Sequence, residues 1–264
     1  MQSVDIGFVF ALHHESVGIL DRLKRPQTTR GNDRTFHTGT IHTAGTNSEK
    51  SVAAVLAGVG QKNAEEATNV LLDVFAPRWI CSIGYAGGLT NRLQRATICV
   101  PEQAVRATDG QALDLSGTVP QRAVPMPNKL KLLTINDVVE TPNRKRELHA
   151  QTGAELVDME TFAVAEVCRV REIPFLSVRV IFDALDDQIP GDITKILDNF
   201  SRGVSRTSGL FLAGTLFGSI VSRPSVLLDF ASFNRRAFTA SERLAQFTLA
   251  ELSRRNEAKM LPSG

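Results

Sequence analysis

Residues 4–23, VDIGFVFALHHESVGILDRL, carry the unit from which the fold follows. VDIGFVFA (4–11) is a continuous apolar run, the signature of a strand covered on both faces. HHESVGILDRL (13–23) places Val17, Leu20 and Leu23 at helical spacing. The same unit recurs outward along the chain. RTFHTGTIHTAG (34–45) alternates in period two, as a strand with one wet face does. SVAAVLAGVG (51–60) reads as a strand ending in glycines, and KNAEEATNVLLDVF (62–75) as an amphipathic helix stopped by Ala76-Pro77. RWICSIGYAGGL (78–89) reads as a buried strand entering a glycine turn. ATICVPEQAV (96–105) and KLLTINDVV (131–139) are predicted strands, TFAVAEVCRVREI (161–173) a helix, and PFLSVRVIFDA (174–184) a further buried strand. Buried strands interleaved with helices predict an α/β fold with a mostly parallel or mixed sheet covered on both faces.

Composition bounds the rest. The 264 residues are 42% hydrophobic and 22% charged, which is a globular balance rather than a disordered one. Thirty basic against 28 acidic residues leave a formal net charge of +2, too even for a chain-wide nucleic-acid surface. Cys81, Cys99 and Cys168 are far apart with no CxxC spacing, so neither a disulfide framework nor a zinc site is expected, and the compartment is read as reducing. MQSVDIGFVFALHHE lacks the basic start and cleavage site of a signal peptide. The most apolar stretch, 210–221, falls short of the roughly 20 residues of a membrane span. The expectation is a soluble cytoplasmic protein. Residues 107–128 read as a long loop of the kind that often serves as a lid. Residues 1–200 form the expected main domain and 201–264 a helical C-terminal extension packed on it. That extension includes the basic amphipathic stretch ASFNRRAFTASERLAQFTLAELSRR (231–255), beyond Pro224. Its arginines (235, 236, 243, 254 and 255) are read as a solvated face rather than a membrane contact.

In α/β sheets, ligands bind beyond the carboxyl ends of strands. Three strand ends here carry unusual residues. Glu15 follows the first strand, where it suits either a helix start or a general base. Gly84-Tyr85-Ala86-Gly87-Gly88 allows another group to approach the backbone closely. Asp183, with Asp186 and Asp187, ends the last buried strand beside Phe182, a setting that raises a carboxyl pKa. Asp158-Met159-Glu160 stands at another strand-to-helix junction, where acids suit the helix start or grip hydroxyls. Arg179, within a buried strand, asks for an anionic partner. Gly58-Val59-Gly60 is not followed by a dinucleotide fingerprint, since position 63 is Asn. His13-His14 reads as a polar strand end; His37, His42 and His149 show no ligand spacing, and there is no GxSxG elbow. No metal and no cofactor are expected.

IGFVFALHHES, GVGQKNA, SIGYAGGL, and VDMETFAVAEVC followed by PFLSVRVIFDALD, in this order, resemble the purine nucleoside phosphorylase and nucleosidase superfamily over roughly residues 4–190. The pattern is most similar to its methylthioadenosine/S-adenosylhomocysteine nucleosidase branch. The resemblance implies a three-layer α/β/α domain with a mixed central sheet, a nucleoside substrate and a dimer or larger homo-oligomer. It implies that Glu15 activates water, that Glu160 grips the ribose 2′ and 3′ hydroxyls, that Met159 packs on the sugar and that Asp183 protonates purine N7. Gly87, Tyr85, Phe182 and Arg179 join the expected substrate-binding set. Tyr85 stands where the family usually has Ser or Thr, and Phe182 where it has Ser. A purine-stacking Phe is expected near 137–140, where the chain reads Asp137-Val138-Val139-Glu140. The phosphorylases' G-D-P-x-R segment is absent, which favours water as nucleophile. The tail is similar to that of hopanoid-associated phosphorylase-like proteins. Hydrolysis of a 5′-substituted purine nucleoside is the leading expectation. A phosphorylase on the same fold, with Arg179 or a partner subunit's arginine holding phosphate, and a non-catalytic nucleoside-binding or membrane-associated protein are the alternatives.

Overall fold

The computed structural model describes residues 3–42, 49–116, 130–189 and 226–258. In chain order the elements are β1 (Ile6–Phe10), α1 (His13–Leu20), β2 (Lys24–Gly31), β3 (Arg34–His42), β4 (Glu49–Leu56), α2 (Gln61–Phe75), β5 (Trp79–Gly88), β6 (Ile98–Cys99) and β7 (Gln103–Arg106). They continue with β8 (Ala112–Asp114), β9 (Lys131–Thr134), α3 (Pro142–Thr152), β10 (Leu156–Asp158), α4 (Thr161–Val170), β11 (Phe175–Asp183) and α5 (Val226–Ala258). The strands form one mixed sheet in the order β2-β3-β4-β1-β5-β10-β9-β7-β8, with β11 pairing β5 and β6.

The buried strands are apolar throughout because each face packs on helices. Ile6, Phe8 and Phe10 of β1 join Ile19 of α1 and Ala240, Leu244 and Leu249 of α5 in one cluster. Val9, one residue out of phase, joins Leu71 and Phe75 of α2 and Val164 of α4 in another. Period-two alternation thus sends successive residues into opposite cores. The result is the three-layer α/β/α arrangement, with α1 and α5 on one face and α2 and α4 on the other. At 25 cal/mol per Å², burying one such side chain stabilises by roughly 1.5–3 kcal/mol, so the two cores dominate the stability.

β5 is the central strand, and it forks. On one edge it runs parallel to β11 from Ile80 through Gly87. On the other, residues 79–82 pair with β1 in parallel. Farther along, Gly87 and Gly88 pair with β10 in the antiparallel sense. Between Ser82 and Gly87, neither β1 nor β10 continues that edge. A slot opens there in the middle of the sheet.

Several boundaries differ from the sequence reading. The glycine stretch 84–88 is extended strand, not a turn. The strand expected over 96–105 breaks into β6 and β7 around Pro101, which has no N–H to give a ladder. The strand expected over 131–139 ends at Thr134. β2, β8 and α3 are additional elements, and β8 falls within the expected loop 107–128, part of which lies outside the described residues. So do the 200/201 boundary, residues 210–221 and Pro224. Among the described residues, no helix is long and apolar enough to cross a membrane.

Candidate active site

The slot deepens into a cavity of about 310 Å³ at the carboxyl ends of β1, β5, β10 and β11. Glu15, Tyr85, Gly87, Met159, Glu160, Phe182 and Asp183 all line it. Seven of the eight residues singled out for a site therefore meet in one place, although they are spread over 169 positions of chain, from 15 to 183.

Glu15 occupies the first turn of α1 and is buried. Its Oε2 accepts from the backbone N–H groups of Ala11 (2.9 Å) and Leu12 (2.7 Å), and its Oε1 from Tyr85 N–H (2.9 Å). The first two are helix-start amides that lack intrahelical partners. The third is a β5 amide left without a strand partner by the fork. One carboxylate thus gathers three backbone donors at the slot. A Cβ at Gly84 would stand 2.9 Å from Glu15 Oε1, so only glycine admits the carboxylate there. Burial raises the Glu15 pKa, and the backbone donors and the charge of Arg179 oppose that rise.

Glu160 is the N-cap residue of α4, and its Oε1 accepts from Gly60 N–H at 2.7 Å. Burial, then the neighbouring charges of Asp158 and Glu15, push its pKa up to about 8. Asp183 ends β11 just past a register irregularity between Ile181 and Asp183. Such an irregularity re-aims a side chain, and here the carboxyl comes to rest against Gly87, where a Cβ would stand 3.2 Å from Oδ2. Burial raises its pKa; Lys145, whose Nζ stands 2.5 Å from Oδ2, opposes the rise.

Tyr85 and Phe182 stack with centroids 4.8 Å apart and planes 26° apart. The Tyr85 hydroxyl donates to Ala237 O of α5 at 3.0 Å. Burial, with the nearby Glu15 charge, raises its pKa far enough to keep the phenol neutral. The rings therefore form a wall tied to the C-terminal helix, and leave the cavity open. At positions 137–139 the cavity is lined by Asp137, Val138 and Val139, joined by Ile135 and Ile189. An aliphatic surface stands where an aromatic ring was expected.

Arg179 does not reach the cavity. Its Nε donates to Asp158 Oδ2 (3.0 Å), one terminal nitrogen to Ser82 O (2.9 Å) and Val178 O (3.0 Å), and the other to Ser82 Oγ (2.8 Å). At 2% exposure its charge faces Asp158 and Ser82 behind the site rather than the cavity. Asp158 completes this layer, accepting also from Thr134 Oγ1, Thr161 N–H and Thr161 Oγ1.

Sequence reading passed over Lys145 and Arg95, and it placed Arg236 on the solvated basic face of the C-terminal stretch. Arg95 forms an ion pair with Asp187, and both line the cavity. Arg236, from α5, lines the cavity and makes no ion pair among the described residues. Neither Lys145 nor Arg95 lies near a recognisable motif, so no local signal marked them. No cluster of three or more potential metal ligands occurs among the described residues.

A mixed sheet between helical layers, with buried acids converging where the central strand forks, defines an α/β protein whose pocket is built for acid–base work on a small molecule. The model of the phosphorylase superfamily matches residues 5–133 and 131–214, and this chain belongs to that family. A 5′-methylthioadenosine/S-adenosylhomocysteine nucleosidase of Oceanobacillus iheyensis is 28% identical over 201 residues, covering 67% of this chain and 85% of the relative. Among solved structures, the S-adenosylhomocysteine nucleosidase of Streptococcus pyogenes in complex with 5-methylthiotubericidin superposes with a TM-score of 0.66 at 19% identity, covering 96% of this chain and 98% of that one. The futalosine hydrolase of Helicobacter pylori gives 0.63 at 17% identity, covering 95% and 97%.

Proposed function

We propose that this protein hydrolyses the N-glycosidic bond of a 5′-substituted purine nucleoside of the methylthioadenosine/S-adenosylhomocysteine kind and releases the free base. The observation that carries this reading is the convergence of Glu15, Glu160 and Asp183 on one cavity, from three different strand ends, with each pKa raised by burial. The sequence relatives named above support the substrate class.

Bond cleavage builds positive charge on the sugar and negative charge on the departing base. A carboxyl whose pKa is raised by burial is suited to giving a proton to the base as the bond lengthens, which is the part assigned to Asp183. Glu15, held rigidly by three backbone donors, takes a proton from the water that attacks C1′. Glu160 accepts from the sugar hydroxyls, and Met159 supplies an apolar contact to the ring; holding the sugar in register shortens the path to the transition state. Val138, Val139 and Ile189, with Phe182, offer the base an apolar surface. The balance is complete: water adds across C1′–N9, Asp183 loses one proton and Glu15 gains one, and solvent restores both.

The test is release of free adenine from methylthioadenosine, S-adenosylhomocysteine and 5′-deoxyadenosine, with and without inorganic phosphate. Phosphate-independent release supports the proposal; base release that requires phosphate overturns it in favour of phosphorolysis. Arg236 motivates that second reading, as a cation at the cavity with no ion pair among the described residues. Size-exclusion chromatography with light scattering tests the accompanying expectation of a homodimer.

A further inference from the structure

Lys145 is the buried charge that the hydrolytic scheme leaves without a task. Its side chain is wholly inaccessible. It lies in the first turns of α3, where the helix dipole disfavours a cation. Its neighbours on that helix behave ordinarily: Arg144 pairs with Glu147 and Arg146 with Asp186 at the surface. Burying an ammonium is unfavourable unless it is fully partnered, and its partners here all belong to one short segment. Lys145 Nζ stands 2.5 Å from Asp183 Oδ2 and donates to Ala184 O (2.6 Å) and Asp187 O (3.0 Å). The same segment is closed on itself by Ala184 N–H donating to Asp187 Oδ2 at 2.7 Å. The chain from 183 to 187 therefore wraps around the ammonium.

We propose that Lys145 is a positioning residue for Asp183, holding its carboxyl at the cavity and stabilising the negative charge left on it once its proton has passed to the departing base. This inference rests on the hydrolytic reading of the same site. Asp183 has to carry a proton before cleavage and a negative charge after it. Burial favours the first condition and the ammonium the second. The other charges facing it are Asp187 and Arg95, which pair with each other, so Lys145 is the cation in direct contact. The proton leaves Asp183 for the base, the C1′–N9 electron pair leaves with the base, and the ammonium stays protonated throughout.

The experiment compares wild type, K145M and K145R on two substrates: methylthioadenosine, whose base needs a proton to depart, and 4-nitrophenyl β-D-ribofuranoside, whose leaving group does not. K145M is expected to lose adenine release by about 10–100-fold, the lower part of the range for general acid catalysis, and nitrophenol release by less than about 3-fold. The alkaline limb of its kcat profile moves to higher pH by about one unit, because a carboxyl that loses a cationic neighbour holds its proton longer. K145R retains most of the adenine activity and also covers the case in which K145M fails to fold. Carbon-13 NMR of the aspartate carboxyls, with D183N assigning the resonance, reads the same upward shift without turnover. Equal losses on both substrates, or an unmoved Asp183 titration, overturn the proposal. A wild type that releases no base from any nucleoside while K145M still shifts the titration overturns the hydrolytic reading and leaves the ion pair standing.

Discussion

Two buried ion pairs are anchored four residues apart on β11, at Arg179 and Asp183, and they do different things. Arg179–Asp158 lies between β11 and β10, with side-chain exposures of 2% and 0%. Its carboxylate accepts from Thr134 and Thr161 as well as from Arg179, and its guanidinium also bonds Ser82 and Val178. Lys145–Asp183 joins α3 to the end of β11, and its carboxyl lines the cavity. The first pair is closed: Asp158 borders the cavity, but both side chains are buried and their polar atoms are taken up by neighbouring strands. The second is open on one side, toward whatever fills the cavity. A buried charge pair becomes chemically useful when one partner keeps a face toward substrate, and structural when neither does.

The sharpest way to break this comparison is D183N. If the open pair is the reactive one, adenine release per folded molecule falls by about 10²–10⁴-fold in kcat, the range for a general acid, while the stability loss stays smaller than in R179M, because the new amide oxygen and the carbonyls of Ala184 and Asp187 still accept from Lys145. A large loss of stability with activity per folded molecule preserved would make the two pairs alike. R179M comes next. It strands Asp158 as an unpaired buried charge, and breaking such a pair costs about 3–5 kcal/mol, read as a lower midpoint in urea.

E160Q sharpens the contrast from the side of stability. A carboxyl whose folded pKa lies above its unfolded value binds more protons when folded. Its contribution is therefore most favourable below about pH 4 and is lost as pH rises toward about 8. Glutamine removes that loss, so E160Q is expected to melt higher than wild type at pH 8, by roughly 2–4 °C for each kcal/mol recovered, and the gap closes at pH 4. Catalytic efficiency falls in the same variant. The smallest effect belongs to S82A, which removes one acceptor from Arg179 and costs about 1 kcal/mol in thermal or urea unfolding, with kcat unchanged.

The sequence showed the site better than it showed the edges of the fold. Buried strands announce themselves because both faces are apolar, as in β1, β5 and β11. β2 (KRPQTTRG) does not, since nearly all of it is exposed and it reads as loop. α3 carries start and stop signals in Thr141-Pro142 and Gly153, yet only Lys145 and Leu148 of it are buried, so it has no apolar period. Glu15, Glu160 and Asp183 were legible because each breaks an apolar strand end, and the family resemblance gave them roles. Lys145 was not, because a lysine in a polar helix looks solvent-exposed until the segment folded over it is seen. Arg179 was legible as a buried cation seeking an anion. Its partner, Asp158, takes it out of the cavity, which only the three-dimensional pairing reveals.

The fork in β5 bears on any attempt to improve this protein. Designers regularise sheets, matching strand lengths so that every backbone amide finds a neighbour. Extending β1 by a few residues along β5 would do so here, and the extra strand would take the amide of Tyr85 that Glu15 now holds. The product would be a more regular sheet and a tighter core, with no vestibule for a small molecule. The irregularity is the working part.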